Sequence, residues 1–304
     1  MAAPRIMQQG RIVPWLYILP ALCVIIVFVL FPTANTVSLS FLDRSGELPV
    51  STSCLPDEPC WGVFENYRYA LTHPEMKIAL RNNALWLLVM VPATIGVGLL
   101  MAVLADRVRY ESLVKALIFM PMAISFIGAG VIWQFMYAID AAGGEQIGLL
   151  NAVLVSVGLE PVAWLSTPII NNFSLMMVGV WLWAGFCMTI LSAAIKGLPV
   201  EVLEAARVDG AHEWQLFWKI MMPMILPTIT VVFTTMVIII LKIFDIVFVM
   251  TGGNYGTEVI ANRMFNLIVT NTGRSMAIAV VLLVLTIPIM IINVRRFQAQ
   301  EEMR

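Results

Sequence analysis

The chain has 304 residues, 60% of them apolar and 12% charged, with a net charge of −1 and a mean hydropathy of +0.90. Soluble domains carry roughly a quarter charged residues, so half that share points to lipid as the solvent, and the near-zero net charge gives no footing for nucleic acid. No Gly-rich phosphate loop of the G-x-x-x-x-G-K type and no His/Cys cluster at metal-ligand spacing occurs; His73 and His212 stand alone and read as surface residues, so neither a nucleotide site nor a metal centre is expected.

Six apolar stretches, at 15–40, 82–105, 116–139, 170–195, 224–250 and 275–294, are each long enough to cross a hydrocarbon layer. Such a layer is ~30 Å thick and takes about 20 helical residues. The first stretch is uncharged and follows Arg5 and Arg11; with no small-residue cleavage site behind it, it reads as a retained span rather than a signal peptide. The loop at 41–78 is rich in Pro and acid and holds Cys54 and Cys60. In an oxidising compartment this pair can close a small disulfide loop; two free thiols in a flexible loop is the other reading, and both stay open. Cys23 and Cys187 fall inside spans and read as small apolar core residues. Segment 140–168 carries Gly143-Gly144 and no Lys or Arg, which predicts a short interfacial helix near 147–157 with Trp164 at the membrane boundary. Pro92, Pro121, Pro168, Pro227 and Pro288 sit in or beside spans, where neighbours can satisfy the freed carbonyls. The predicted fold is an all-α membrane protein of six transmembrane helices, a single domain over 1–304.

Lys and Arg number eleven on the segments that include both termini and 196–223, against six on the opposite segments. Positive charge favours the cytoplasmic side, so both termini and the 196–223 loop are expected there. Inside the fifth span, Lys242 and Asp245 are three apart and are expected on one helix face. Ionisable groups at membrane depth are costly; the two either line a translocation path or form an ion pair that positions the helix. Sugar sites combine aromatic platforms with polar side chains, and Trp133, Gln134, Trp181 and Trp183 are the candidates of that kind. Aromatic residues in membrane helices also simply pack.

The one polar module between apolar runs is 196–223. Pro199 fits a first helical turn, and Glu201 and Glu204 lie toward that helix's positive end. Gly210 can close the helix in a left-handed conformation, and Pro223 is expected to end the helix that follows. The module therefore predicts two short helices hinged at glycine, with Trp214, Phe217, Trp218 and Met221 along one face of the second.

Glu204-Ala205-Ala206, three residues, Gly210, nine residues, Ile220, and Met222-Pro223 resemble the Glu-Ala-Ala loop of bacterial ABC importer permeases; Met222 replaces the usual Leu, a volume-conserving change. Asp209-Gly210-Ala211 with Trp214-Gln215-Leu216-Phe217 resembles the carbohydrate-uptake branch, and 120–133 is similar to α-glucoside-type permeases. Lys242-Ile-Phe-Asp245 followed by Thr251-Gly-Gly253 also resembles the family's text, and the likeness runs over about 15–296.

The resemblance implies a type I permease fold in a bacterial cytoplasmic membrane, working with a second six-span subunit, two ATP-binding subunits and an extracytoplasmic sugar-binding protein. ATP and Mg would bind the partner ATPase, so this chain is no enzyme. Glu204, Ala205, Ala206, Asp209, Gly210, Ile220 and Pro223 would couple ATPase closure to the membrane helices, and loop 41–78 would help dock the binding protein. Where the maltose-type branch holds sugar with polar side chains, this chain has Val180, Phe186, Met236 and Ile240, so no binding role carries over to them. The alternative cargo is a non-sugar polar solute such as a glycerol derivative. A secondary transporter would not need the module and often shows an inverted repeat, which is missing here.

Overall fold

The computed structural model describes residues 13–54, 60–140 and 147–301, which are almost entirely helical apart from one isolated antiparallel bridge, Leu42 to Pro49. Arg5, Arg11 and the Gly143-Gly144 pair lie outside the described residues. Among those residues, five helices are long and apolar enough to cross a membrane, six if one bent pair counts as a span. The chain divides into two compact units, residues 1–70 with 266–281, and residues 71–265 with 282–304.

The first unit opens with α1 (Val13–Ile25), a π turn (Ile26–Leu30) and α2 (Phe31–Leu39), which together make one span. The π turn stands just ahead of Pro32, and Phe31 N–H reaches back five residues to Ile26 O. A proline has no N–H for the carbonyl four residues back and crowds it with its ring, so widening the preceding turn lets the helix run on. The loop after α2 is tied down by α3 (Glu65–Thr72): Asn66 Nδ2 donates to Ser40 O at 2.9 Å and Leu42 O at 2.7 Å. Phe41, Phe64 and Tyr67 close a ring cluster with centroids 5.6–6.1 Å apart. The start of α14 (Thr272–Glu301) joins the same loop through Thr272 N–H to Arg44 O and Gly273 N–H to Asp43 O.

The second unit is built on α4 (Pro74–Ala105) against α8 (Ile170–Lys196). Lipid tails are as apolar as leucine, so close backbone approach rather than hydrophobic drive holds such a pair. Gly98 shows how close: a Cβ there would sit 2.5 Å from Cys187 Cβ. Cys187 is buried, as its predicted core role requires, whereas Cys23 is exposed on the first span and faces outward from its unit.

Two predicted spans are not single helices. The third, expected over 116–139, is α5 (Glu111–Phe119), a 3-10 turn (Met120–Ala123) and α6 (Phe126–Met136), with a bend of 99° between the two arms. Pro121 sits in the turn, Ile124 is extended, and Ser125 Oγ caps the new helix by accepting Gly128 N–H at 3.0 Å. The fifth, expected over 224–250, stops earlier: α11 (Met222–Leu241) gives way to a non-helical link before α12 (Asp245–Met250). Its last turn tightens, Lys242 N–H to Ile239 O and Ile243 N–H to Ile240 O, and Phe244 at φ −142°, ψ −61° leaves the helix.

The remaining elements are α7 (Leu149–Ser156), inside the predicted 147–157 helix; α9 (Val200–Val208); α10 (Glu213–Gln215), which a π turn (Leu216–Met221) joins to α11; and α13 (Ile260–Leu267). Pro223 therefore does not end the helix after Gly210. The helix runs unbroken over Glu213–Leu241, because the π turn ahead of Pro223 accommodates its ring as the one ahead of Pro32 does.

Candidate coupling site and translocation path

The predicted module at 196–223 is one short helix, one glycine turn and the extended start of the fifth span. Pro199 precedes α9 with ψ 123°, one residue ahead of the expected helical position, and Glu201 lies in the first turn where the helix dipole favours an acid. Gly210 adopts φ +85°. Its N–H donates to Arg207 O at 3.1 Å and Ala211 N–H donates to Ala206 O at 3.0 Å, the paired bonds of a Schellman end. Such a φ is readily available only to glycine.

His212 then starts the next helix: its Nδ1 accepts Gln215 N–H, and Gln215 Oε1 accepts His212 N–H in return. That capping role was not read from the sequence, although His212 does lie on the surface. Arg207 and Arg107 reach Glu213 at 3.2 and 3.4 Å, so the arm on either side of Gly210 is held to the other and to the end of α4. Glu204, Ala205, Asp209, Gly210 and Pro223 are exposed, and Ala206 and Ile220 half-buried. Val208 is 87% and Trp214 68% exposed.

At the opposite end of α4, side-chain amides hold the irregular backbone that follows α11. Asn82 Nδ2 donates to Gly256 O and Glu258 O at 2.7 and 2.8 Å. Asn83 Nδ2 caps Leu241 O at 3.2 Å while its Oδ1 accepts Ile260 N–H at 2.9 Å, joining the end of α11 to the start of α13. Asn171 Nδ2 takes Tyr255 O at 2.9 Å and so fixes Tyr255 at φ 56°. Buried backbone outside a helix persists only where such partners exist. Lys242 and Asp245 flank this break. They are not on one helix face, as the spacing predicted, because the helix ends between them; Lys242 is exposed, Asp245 half-buried, and they form no ion pair.

The family model described as "binding-protein-dependent transport system inner membrane component" matches residues 94–297. The chain belongs to this permease family. It is 52% identical over 293 residues to the osmoprotective compounds uptake permease protein GgtC of Synechocystis sp., covering 95% of this chain and 100% of that one. It is 46% identical over 298 residues to the alpha-glucoside transport system permease protein AglF of Rhizobium meliloti, covering 97% and 85%. The fold is that of an ABC importer permease: a chain of a bacterial alginate ABC transporter in complex with an alginate pentasaccharide-bound periplasmic protein superposes with a TM-score of 0.73, 20% identity, and coverage of 91% and 92%.

The other predicted path residues of the permease fall into separate clusters. Trp133 meets Trp181 edge-on at 5.6 Å and Tyr137 at 5.2 Å, and Tyr137 hydroxyl donates to Ser174 O. Trp183 lies two residues on from Trp181 and instead stacks on Phe126 at 5.8 Å. The amide of Gln134 is engaged with the end of α12, donating to Val249 O at 2.7 Å and Met250 O at 3.3 Å. Met236 and Ile240 are fully buried, and Val180 and Phe186 half-buried. In the first unit the Cα atoms of Cys54 and Cys60 lie 5.9 Å apart with their sulfurs in bonding contact. The asparagines at 82, 83 and 171 were missed by sequence reasoning. The available signal was an amide pair at or beside the start of each of two apolar stretches, Asn82-Asn83 in 82–105 and Asn171-Asn172 in 170–195.

Proposed function

We propose that the permease is one membrane subunit of an ATP-driven importer that moves a carbohydrate, an α-glucoside or related oligosaccharide, into the cytoplasm by alternating access. The coupling module carries this reading. α9 ends in a glycine turn whose far arm is the continuous start of the fifth span, so a push on α9 acts at the base of a membrane helix. A separate ATPase subunit, with ATP and Mg, would dock on Glu204, Ala205, Ala206 and the exposed Val208 and Trp214. Asp209 and Gly210 would keep the turn, and Ile220 and Pro223 would seat the span. A second six-span subunit and an extracytoplasmic binding protein complete the assembly, in agreement with the transport systems named for the relatives. The excess of Lys and Arg supports a cytoplasmic position for the module and both termini.

On the opposite side, the break between α11 and α12 is the proposed cargo position. There Lys242 and Asp245 stand apart from each other, and the edge-on pair Trp133 and Trp181 would supply an aromatic wall to the path. Gln134 would act by fixing α12 rather than by touching cargo. Cys54 and Cys60 would form an extracytoplasmic disulfide that stiffens the loop facing the binding protein. Its check is labelling with a membrane-impermeant thiol reagent, expected only after reduction; labelling of both without reductant removes it.

A second cargo, a small polar osmoprotective compound, is favoured by the 52% identical relative. The deciding experiment reconstitutes the permease with its partner subunits in liposomes and tests sugars and osmoprotectants retained by the cognate binding protein. ATP-dependent accumulation of an α-glucoside is expected. Accumulation of the osmoprotectant alone changes the cargo; accumulation driven by an ion gradient without ATP removes the importer reading.

A further inference from the structure

An ion cluster absent from the sequence reading sits where three helices end beside the coupling module. Lys115 on α5 donates from one ammonium to Asp106 Oδ1 at 2.5 Å, to Glu111 Oε1 at 2.5 Å and to Ser192 Oγ on α8. Ser192 Oγ also donates to Asp106 Oδ1 at 2.8 Å, and Lys196 at the end of α8 pairs with Glu111. Asp106 caps the end of α4, so α4, α5 and α8 are joined through one lysine whose three donors are all used.

The four charges cancel, and the Lys115 and Asp106 side chains are only 20% and 15% exposed. Asp106 Oδ2 is buried with no hydrogen-bond partner, and among the described residues Lys115 is the only cation paired with that carboxylate. The pair is therefore costly to part, and it sits at a junction. Only Gly197 and Leu198 separate Lys196 from Pro199, and both fold back on α8 through Gly197 N–H to Ala193 O and Leu198 N–H to Ile195 O. Displacement of α9 is thus delivered to the end of α8 with little slack. A cavity of about 200 Å³ bordered by Asp106, Ile195, Leu203 and Arg207 separates α9 from those helix ends and leaves it room to move.

We infer that Lys115 is a positioning residue for coupling: it makes the ends of α4, α5 and α8 move as one body when the module is displaced. The assignment rests on the importer reading above. Breaking a buried ion pair destabilises whatever its function, so stability and coupling are read separately.

The test uses the full transporter in liposomes, with Lys115→Met and with the double variant Lys115→Met/Asp106→Asn, which removes the stranded carboxylate. Uptake of an α-glucoside that wild type accumulates is divided by the amount of assembled complex and by ATP hydrolysed. With Lys115→Met, and with the double variant even where the single one fails to assemble, uptake per ATP is expected to fall about tenfold or more, the size of an ordinary coupling loss. Basal ATP hydrolysis should persist. Wild-type uptake per assembled complex and per ATP in the double variant overturns the assignment and leaves a purely structural pair. A wild-type complex whose ATPase ignores the loaded binding protein overturns the importer reading instead.

Discussion

The two ends of α4 are built on different chemistry. At its beginning Asn82 and Asn83 hold backbone carbonyls and one N–H with neutral, directional amides, and the segment so held contains the break between α11 and α12. Beyond its end, Asp106 and Arg107 work through charge, to Lys115 in the cluster and to Glu213 in the coupling module. An amide bond to a buried carbonyl is geometrically exacting, and losing it strands a polar group. Exposed ion pairs such as Arg107 with Glu213 are less directional, and typically weak enough to be re-formed at small cost. The first end suits a fixed frame around an irregular segment; the second suits elements that change position.

The comparison breaks most visibly at Asn83. Leucine has its shape but none of its bonds, so Asn83→Leu strands Leu241 O and Ile260 N–H in a buried setting, at about 1–3 kcal/mol each. We expect a large drop in assembled permease and in its thermal midpoint, against almost none for Arg107→Gln, whose pair is exposed and worth about 0–1 kcal/mol. Equal losses from the two variants would erase the distinction between frame and moving end.

Gly210→Val acts at the charged end without touching a span. A β-branched residue at φ +85° costs about 1–2 kcal/mol, and its Cβ meets no neighbouring atom within 4 Å, so the strain lies in the turn itself. Membrane insertion should survive while ATP hydrolysis and uptake uncouple. Full uptake by this variant would show that the turn is not needed.

Lys242 and Asp245 sharpen the amide end. As a buried pair, either one neutralised alone would cost about 3–5 kcal/mol, but the structure keeps them apart across the helix break. Lys242→Met and Asp245→Leu should each assemble normally, and the double variant should assemble yet transport poorly. Wild-type uptake by the double variant, normalised to assembled complex, would remove both from the path.

The apolar stretches and the Gly210 turn were legible because each is local: span length, composition and a glycine at a helix end decide them. What escaped was set by distant partners. Nothing near Lys242 announces the end of α11, which depends on Asn83 more than 150 residues away in sequence (their separation is 158 between Asn83 and Leu241). The bend in the third span had a local sign in Pro121 and Ser125, but the preceding-turn π geometry that lets the helix continue through Pro223 reversed the expected stop. Lys115 was countable as a charge on one side of the membrane, yet its role needs Asp106 and Ser192, brought together only by packing.

The smallest effect concerns Glu258, the carboxylic acid among these amides. Burial pushes its carboxyl above the ordinary value, against the opposing pull of Asn262, whose Nδ2 donates to Oε1 at 2.5 Å, and of Val259 N–H at 3.2 Å. Arg263 nearby lowers it and Glu75 raises it, both more weakly. With the folded value raised, there is a window in which the folded chain keeps its proton and the unfolded chain has lost it. The unfolded state then binds fewer protons, so stability falls as pH rises from near the ordinary value of 4.5 through the folded value, and levels off above it. Glu258→Gln keeps an oxygen for Asn262 and Val259 but cannot ionise. The thermal midpoint of wild type should therefore decline more than that of Glu258→Gln between pH 4.5 and about pH 8, with the two most alike at the acid end. Parallel curves across that range would show that this acid does not feel its burial, and the neutral frame would then extend only to the asparagines.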